Sequence, residues 1–392
     1  MNSLRIALVS RRYWPQVGGV EVTTARLATE FRRLGHQPRV LTAQWESSWP
    51  TEVVHHEFPV TRLVQPQIRG WGTIRYLHAL SRWLRKHVSE LDAVVVSTLR
   101  HDAYAAIATL RNTPVPVIVR AAGAGATSDV AWQREARFGG RVQRACLTAD
   151  AIIAPSAGLE DELLLAGYPR ARTHLVPSGV ELVPLRQVAD RGAARRAVAD
   201  ANLSLEMVPD APLVVFTGRL EEHKGLADLV AAWDLFSRKQ PNARAWMIGD
   251  GPFRETLYEL IVDRGLHHQM FLPGAFDDVA GVLTAADLFV QPAHAAGSSL
   301  ALLEAMAAGV PIIATDIPAH RELLAHEEHA LLVPPHDPPA LVAAIERLLV
   351  DERLAERLVT AARARVEARH SIEQAADRYL EIIEHAMRAK RK

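Results

Sequence analysis

The sequence predicts an α/β protein built from two doubly wound parallel-sheet domains. Three observations lead there. Short apolar runs alternate with amphipathic stretches of helical period, the pattern of parallel strands covered by helices on both faces. That rhythm begins at residue 5 and restarts after residue 210. The chain has 392 residues, 49% of them hydrophobic, enough to fill two cores of ordinary size.

Taken in order, "RIALVS" (5–10) barely alternates and reads as a strand buried on both sides. The loop "RRYWPQVGG" leads into a helix through Leu27, Phe31 and Leu34, stopped by Gly35. Strands follow at 38–43, 93–98, 116–121 and 151–156, with helical stretches between them. Pro177 to Val180 reads as a hinge, and a charged helical connector runs on from it. The second half places strands at 213–218, 244–249, 270–274, 287–293 and 311–316. From Asp337 the pattern is purely helical and ends in a basic tail. The expected domains are 1–178 and 179–370, with a terminal helix over 371–392.

Composition narrows the function. Forty-five basic residues balance forty-five acidic ones, so no global field argues for nucleic acid. A single cysteine, Cys146, rules out an intramolecular disulfide framework and fits a reducing compartment. "RIALVS" is too short for a secretory apolar region, and there is no uncharged apolar run of about 18 residues. The expectation is a cytoplasmic protein. The histidines are scattered without thiolate partners, so no metal site is expected.

In open sheets of this kind ligands bind beyond the carboxyl ends of the strands, and two such sheets facing each other would enclose one ligand. The strand-exit loops are therefore where chemistry is expected. In "FTGRLEEHKG" (216–225), Gly218 permits a sharp turn, and Arg219 and Lys224 leave one loop together. An arginine fork and a lysine point charge suit a pyrophosphate; equally, Glu221 and Glu222 could pair with them in a solvated loop. In "HAAGSSLALLEAMAAGVPIIATD" (294–316), Ser298 or Ser299 can cap a helix whose free N–H groups attract phosphate. Gly297 admits a ligand close to backbone, with Leu300 the next residue. Glu304, one turn deeper, offers only acceptors, which suits two vicinal ribose hydroxyls as well as an ordinary half-exposed carboxylate. Gly18 and Gly19 in "WPQVGGVE" open a helix without forming the GxGxxG fingerprint. "RAAGAGATSD" (120–129) contains GxG, but no acidic ribose binder follows at the usual interval.

Taken together, "GRLEEHKG", "GDGP", "FLPG", "ADLFVQPA" and "GSSLALLEAMAAGVPIIATD" resemble the nucleotide-binding half of family 4 retaining glycosyltransferases. "GGVEVTTARLATEFRRLGHQPRVLT" is similar to that family's N-terminal half. The resemblance runs through nearly the whole chain in order. It implies a GT-B fold, with two Rossmann-like domains facing a central cleft, and transfer of a sugar from a nucleotide-diphosphate sugar. It implies that Arg219 and Lys224 are catalytic, holding the donor pyrophosphate together with Gly218, Gly297, Ser298, Ser299 and Leu300. Glu304 would bind the ribose, backbone at Leu272 the base, and Gly18 and Gly19 would admit the phosphates from the other half. The family needs no metal or other cofactor, and its terminal helix crosses back to the N-terminal domain. Tyr379, Ile382, Ile383 and Met387 give that helix an apolar stripe.

Two positions depart from the family pattern. Its first glutamate, eight residues before Glu304, falls on Ala296, and a histidine that touches donor sugar and acceptor falls on Ala122. His101 in "RHD" is an acceptor-side substitute, or simply a histidine at the cleft edge. The alternative function is thus a GT-B nucleotide-sugar binding protein with impaired turnover. Finally, "IRGWGTIRYLHALSRWLRKHV" (68–88) reads either as an amphipathic basic helix at an anionic membrane surface or as a packed helix with a solvated face. The first option places the protein at the inner membrane face, with a lipid-linked glycan or polysaccharide precursor as acceptor.

Overall fold

The computed structural model describes residues 3–68, 70–182, 188–205, 207–208, 210–295 and 299–391. The chain divides into two compact units: Met1–Gly179 with Ile372–Lys392, and Val180–Ser371.

The first unit holds eight strands: β1 Arg5–Val9, β2 Gln37–Gln44, β3 Glu52–His55, β4 Phe58–Val64, β5 Ala93–Val96, β6 Val117–Arg120, β7 Ala151–Ala154 and β8 Thr173–Leu175. Their order is β3-β4-β2-β1-β5-β6-β7-β8, parallel throughout except for the β3–β4 hairpin at one edge. Successive β1 side chains show why the run is apolar. Ile6 and Leu8 enter the core on one face, Ala7 and Val9 the core on the other. A strand buried on both sides has no polar face to show.

The terminal helix Ile372–Lys390 belongs to this unit. Its stripe of Ile372, Ala376, Tyr379, Ile382 and Ile383 shares a core with Leu27 and Phe31 of the helix Gly19–Arg33. Tyr379 meets Phe31 edge-on, with ring centroids 6.5 Å apart. Lys390 Nζ then donates to Asp150 Oδ2 at 2.9 Å and to the Val115 carbonyl at 2.9 Å.

The second unit holds β9 Leu213–Thr217, β10 Arg244–Ile248, β11 Met270–Gly274, β12 Leu288–Gln291, β13 Ile312–Thr315 and β14 Leu331–Val333, in the parallel order β11-β10-β9-β12-β13-β14. Val214 and Phe216 fill one face, Leu213 and Val215 the other. The helix Val188–Ala201 is anchored to this unit through Arg195. Its guanidinium binds Asp287 Oδ2 at 2.6 Å and the carbonyls of Ala285 and Ala211 at 3.1 Å. Asp287 in turn accepts from the Leu213 N–H at 2.7 Å, which ties the connector to the first strand.

Both sheets are doubly wound, as the alternation of strands and helices predicted. The order reverses between β1 and β5 in the first, and between β9 and β12 in the second. These reversal points open crevices at the carboxyl ends of the strands, so the loops after β1, β5, β9 and β12 are where ligands are expected.

Candidate functional site

In the second unit the exits of β9, β10 and β11 are laced together through backbone. Gly218 N–H donates to Ile248, Leu220 N–H to Asp250, and Gly249 N–H to Gly274, at 2.8–3.0 Å. Gly249 has φ +149°, and a Cβ there would overlap the Gly218 carbonyl oxygen. The "GDGP" turn therefore serves close backbone approach.

On this base the loop after β9 carries its two cations. Arg219 Nε donates to Glu221 Oε1 at 2.9 Å, which leaves the guanidinium's other donors to other acceptors. Lys224 is half-buried. Burial pulls its pKa below the ordinary lysine value, Glu221 works against this, and the Arg219 charge adds to it. One of the two glutamates thus does pair with a cation, but it engages one edge of Arg219 only.

Beyond β12, Ala296, Gly297 and Ser298 lie outside the described residues. Ser299 sits at the N-cap of the helix Leu300–Ala308, but its hydroxyl makes no capping bond. Instead, Oγ accepts from the Gln291 side-chain amide at 3.1 Å. The reading of Ser299 as a side-chain cap is corrected: the amide at the end of β12 competes for the hydroxyl. The first-turn N–H groups of this helix gain no side-chain acceptor from Ser299. Glu304 is half-buried in the second turn. Leu272 lies where the β10–β11 register shifts, and its carbonyl accepts from Arg254 Nη2 at 2.6 Å.

Sequence reasoning missed His320. It is fully buried just after β13, and Nδ1 donates to the Thr315 carbonyl at 2.8 Å. Its pKa is pushed down to about 4, mainly by burial, with Lys224 as a neighbouring positive charge and the Thr315 bond opposing both. Among the described residues, His320 Nε2, Gln291 Oε1 and Thr217 Oγ1 are buried without a hydrogen-bond partner. Thr217 and Gln291 end β9 and β12, and His320 follows β13, so all three lie at one carboxyl edge of the sheet. A buried polar atom without a protein partner is costly and calls for a water or a polar ligand.

A second feature also escaped the sequence reading. Asp228, His294 and His336 each bring one ligand atom within 4.8 Å of the others. Their separation along the sequence hid this juxtaposition, which could hold a metal ion.

In the first unit, Gly18 is the N-cap of the helix Gly19–Arg33 and makes no side-chain capping bond. The Glu21 carboxylate folds back over it, with Oε2 2.5 Å from where a Gly18 Cβ would stand. Around a Gly19 Cβ there is nothing within 4 Å. His101 begins the helix after β5 and stacks edge-on against Trp132, centroids 4.9 Å apart. Burial lowers its pKa, and Arg11 and Arg100 lower it further. The loops carrying His101 and Ala122 are joined by Asp129, which sequence reasoning passed over. Its fully buried carboxylate accepts from Leu99 N–H at 2.8 Å, Ala122 N–H at 3.0 Å and Arg100 Nε at 2.7 Å. Asp102 beside them is pushed up to about 6 by burial. Gly18, Gly19, His101 and Ala122 therefore belong to the first unit, and Arg219, Lys224, Leu272, Ser299, Leu300 and Glu304 to the second.

Residues 17–183 match the family model described as Glycosyltransferase Family 4, and residues 204–365 match the one described as Glycosyl transferases group 1. A lipopolysaccharide core biosynthesis glycosyltransferase, LpsD of Rhizobium meliloti, is 33% identical over 200 residues, which are 51% of this chain and 57% of that protein. The chain spans about half the length of the curated relatives it matches. Among solved structures, a sucrose-phosphate synthase from Thermosynechococcus elongatus superposes with a TM-score of 0.79 at 22% identity, covering 98% of this chain and 100% of that one. Anabaena HepE in complex with UDP-glucose does so at 0.78 and 17% identity, covering 97% and 100%. At these identities the likeness gives the fold.

Proposed function

We propose that this chain, a GT-B-fold relative of the family 4 and group 1 glycosyltransferases, moves a sugar from a nucleoside-diphosphate sugar to an acceptor with retention of configuration and without a metal. One observation carries the reading. Two cations, Arg219 and Lys224, leave β9 at the point where strand order reverses, and the sheet edge there holds unpartnered buried polar atoms.

The chemistry follows from charge. A departing nucleoside diphosphate gains negative charge as the glycosidic bond breaks, and preorganised donors at that position lower the barrier. Arg219 offers its remaining guanidinium donors, Lys224 a point charge, and the helix starting at Leu300 its first-turn N–H groups. Burial disfavours the Lys224 ammonium, and an anionic partner would restore it. Glu304, an acceptor one turn deeper in that helix, suits the ribose hydroxyls, while backbone near Leu272 suits the base. Gly18 and Gly19 take contacts to phosphate oxygens in this reading, for which the Glu21 carboxylate folded over Gly18 would have to swing aside, and His101 and Ala122 go to the acceptor. HepE was solved with UDP-glucose and LpsD is named for lipopolysaccharide core synthesis. Both fit a sugar nucleotide donor and a glycolipid or polysaccharide-precursor acceptor.

The acceptor class also fits the helix Trp71–Lys86. Tyr76, Leu80 and Leu84 are buried, whereas Trp71 and Ile74 are 50% and 58% exposed. Arg75, Arg82, Arg85 and Lys86 are exposed with them. Exposed aromatic and aliphatic side chains among cations suit an anionic lipid surface at the cytoplasmic face of the inner membrane. No described helix is long and apolar enough to cross a membrane.

A second reading keeps the donor site but not turnover, because Ala296 stands where the family pattern has a carboxylate. Incubating the protein with UDP-, GDP- and ADP-sugars in EDTA separates the two. Slow donor hydrolysis, with the released sugar in the donor's anomeric configuration by NMR, supports the enzyme. Nucleotide binding with no hydrolysis and no transfer to any extract supports the binding module.

A further inference from the structure

We infer that Asp228, His294 and His336 form a binding site for a divalent transition-metal ion of the zinc type. The three residues come from separate places in the second unit. Asp228 lies in the first turn of the helix Leu226–Ser237, His294 in the exit of β12, and His336 just ahead of the helix Pro338–Val350. His294 Nε2 is 2.6 Å from Asp228 Oδ2, and His336 Nδ1 is 3.7 Å from the same oxygen. Ligand atoms around a tetrahedral zinc at its usual bond lengths stand about 3.3 Å apart. The two distances to Asp228 bracket that spacing, and all three donors lie within 4.8 Å of one another.

Two further observations point to a ligand. The two imidazoles pack with centroids 3.6 Å apart, and one nitrogen of each faces the same Asp228 oxygen. His336 holds φ +60°, an uncommon conformation for a residue with a side chain. Two imidazoles and a carboxylate favour zinc, cobalt or nickel over magnesium or calcium, which prefer all-oxygen sites. Three protein ligands leave a fourth position for water or an anionic oxygen. The side chain of His336 is 66% exposed, which gives the ion an entry path.

The site is coupled to the loop after β9. His294 N–H donates to the His223 carbonyl at 2.9 Å, next to Lys224. Gly225, at φ +66°, brings the start of Asp228's helix against Pro292 and His294 so closely that a Cβ would overlap the Pro292 carbonyl oxygen. An ion held here pins the exit of β12 to the loop bearing Lys224. The inference does not depend on the transferase reading, because metal binding is measured directly.

The test is a titration of the untagged full chain with Co²⁺, followed by its visible ligand-field absorbance, with displacement by Zn²⁺. The expected result is one Co²⁺ per chain with the intense bands of four-coordination, lost stoichiometrically to Zn²⁺ and indifferent to millimolar Mg²⁺. His294→Ala and His336→Ala should each weaken affinity at least tenfold, and Asp228→Asn, which keeps the side chain's shape, should do the same. Zn²⁺ should raise the melting temperature of the wild type but not of the double histidine variant, whose metal-free melting checks that it folds. Binding that survives in the double variant, or a wild type that binds Co²⁺ only with weak six-coordinate bands, overturns the inference.

Discussion

His320 gives a prediction whose size follows from its surroundings. Its Nδ1 proton is committed to the Thr315 carbonyl, so an added proton must go to Nε2, which is buried without an acceptor and near Lys224. The imidazole is therefore held neutral, with its pKa moved from 6.5 down to about 4. Well above pH 6.5 the ring is neutral in both folded and unfolded chain and contributes no pH dependence. Between 6.5 and about 4 the unfolded chain takes up a proton that the folded one refuses, so stability falls as pH falls. Over that interval, at about 1.4 kcal/mol per pH unit, the loss reaches about 3 kcal/mol, an order-of-magnitude figure. His320→Asn keeps a donor for the Thr315 carbonyl and removes the titration. It should cost about 1–3 kcal/mol at pH 7 through imperfect packing and then show a flatter decline on acidification. Asp102, pushed up to about 6, drives the opposite trend, but it lies in the other unit. Hydrogen exchange of β9 and β13 amides between pH 7 and 4, corrected for intrinsic rates, reads the second unit alone. Equal acid sensitivity of wild type and His320→Asn would refute the argument.

Other expectations concern the sites themselves. Lys224→Ala should lower turnover at least about a hundredfold, the loss of about 3 kcal/mol of leaving-group stabilisation, with the unfolding midpoint little changed; unaltered turnover removes Lys224 from the mechanism. Glu304→Ala should weaken nucleoside diphosphate binding at least about tenfold, the loss of a charge-assisted bond of about 1.5–3 kcal/mol, as calorimetry would report. Phe31→Ala should destabilise the first unit by about 3–5 kcal/mol, seen in exchange of the helix Ile372–Lys390, because Tyr379 loses its ring partner. Ala296→Glu should change the ratio of rates between two donors sharing one nucleotide, by about 1–3 kcal/mol in transition-state terms, and leave affinity for the free nucleotide unchanged.

What was legible in the sequence was set by period and length. Strands buried on both faces announce themselves as apolar runs, so β1, β9 and β13 stood out, and Gly35 marked a helix end with φ +87°. The β3–β4 hairpin did not, because its two-residue turn is His56-Glu57, both at positive φ, where Asn-Gly would have signalled it. Strands β8 and β14 are three residues each, too short to show a period. The loop cations at 219 and 224 were readable because charge in a strand-exit loop is conspicuous. Asp129, Asp228 and His294 were not, since each acts through partners far along the chain that only folding brings near; His320 was not because its burial, and not its bond to nearby Thr315, is what the sequence hides. Ser299 shows the remaining gap: its N-cap position was readable, but the competing Gln291 amide was not.

The central claim is that the second unit holds a nucleoside diphosphate through Arg219, Lys224 and Glu304. Calorimetric titration of the full chain with UDP, GDP and ADP, repeated on an Arg219→Ala, Lys224→Ala double variant with unchanged circular dichroism, tests it most directly. The account predicts that one nucleoside diphosphate binds the wild type at one site per chain, and that the double variant binds it at least about a hundredfold more weakly, the loss of two charge-assisted contacts. Equal affinity in the two proteins, or no binding of any nucleoside diphosphate to the wild type, would contradict it.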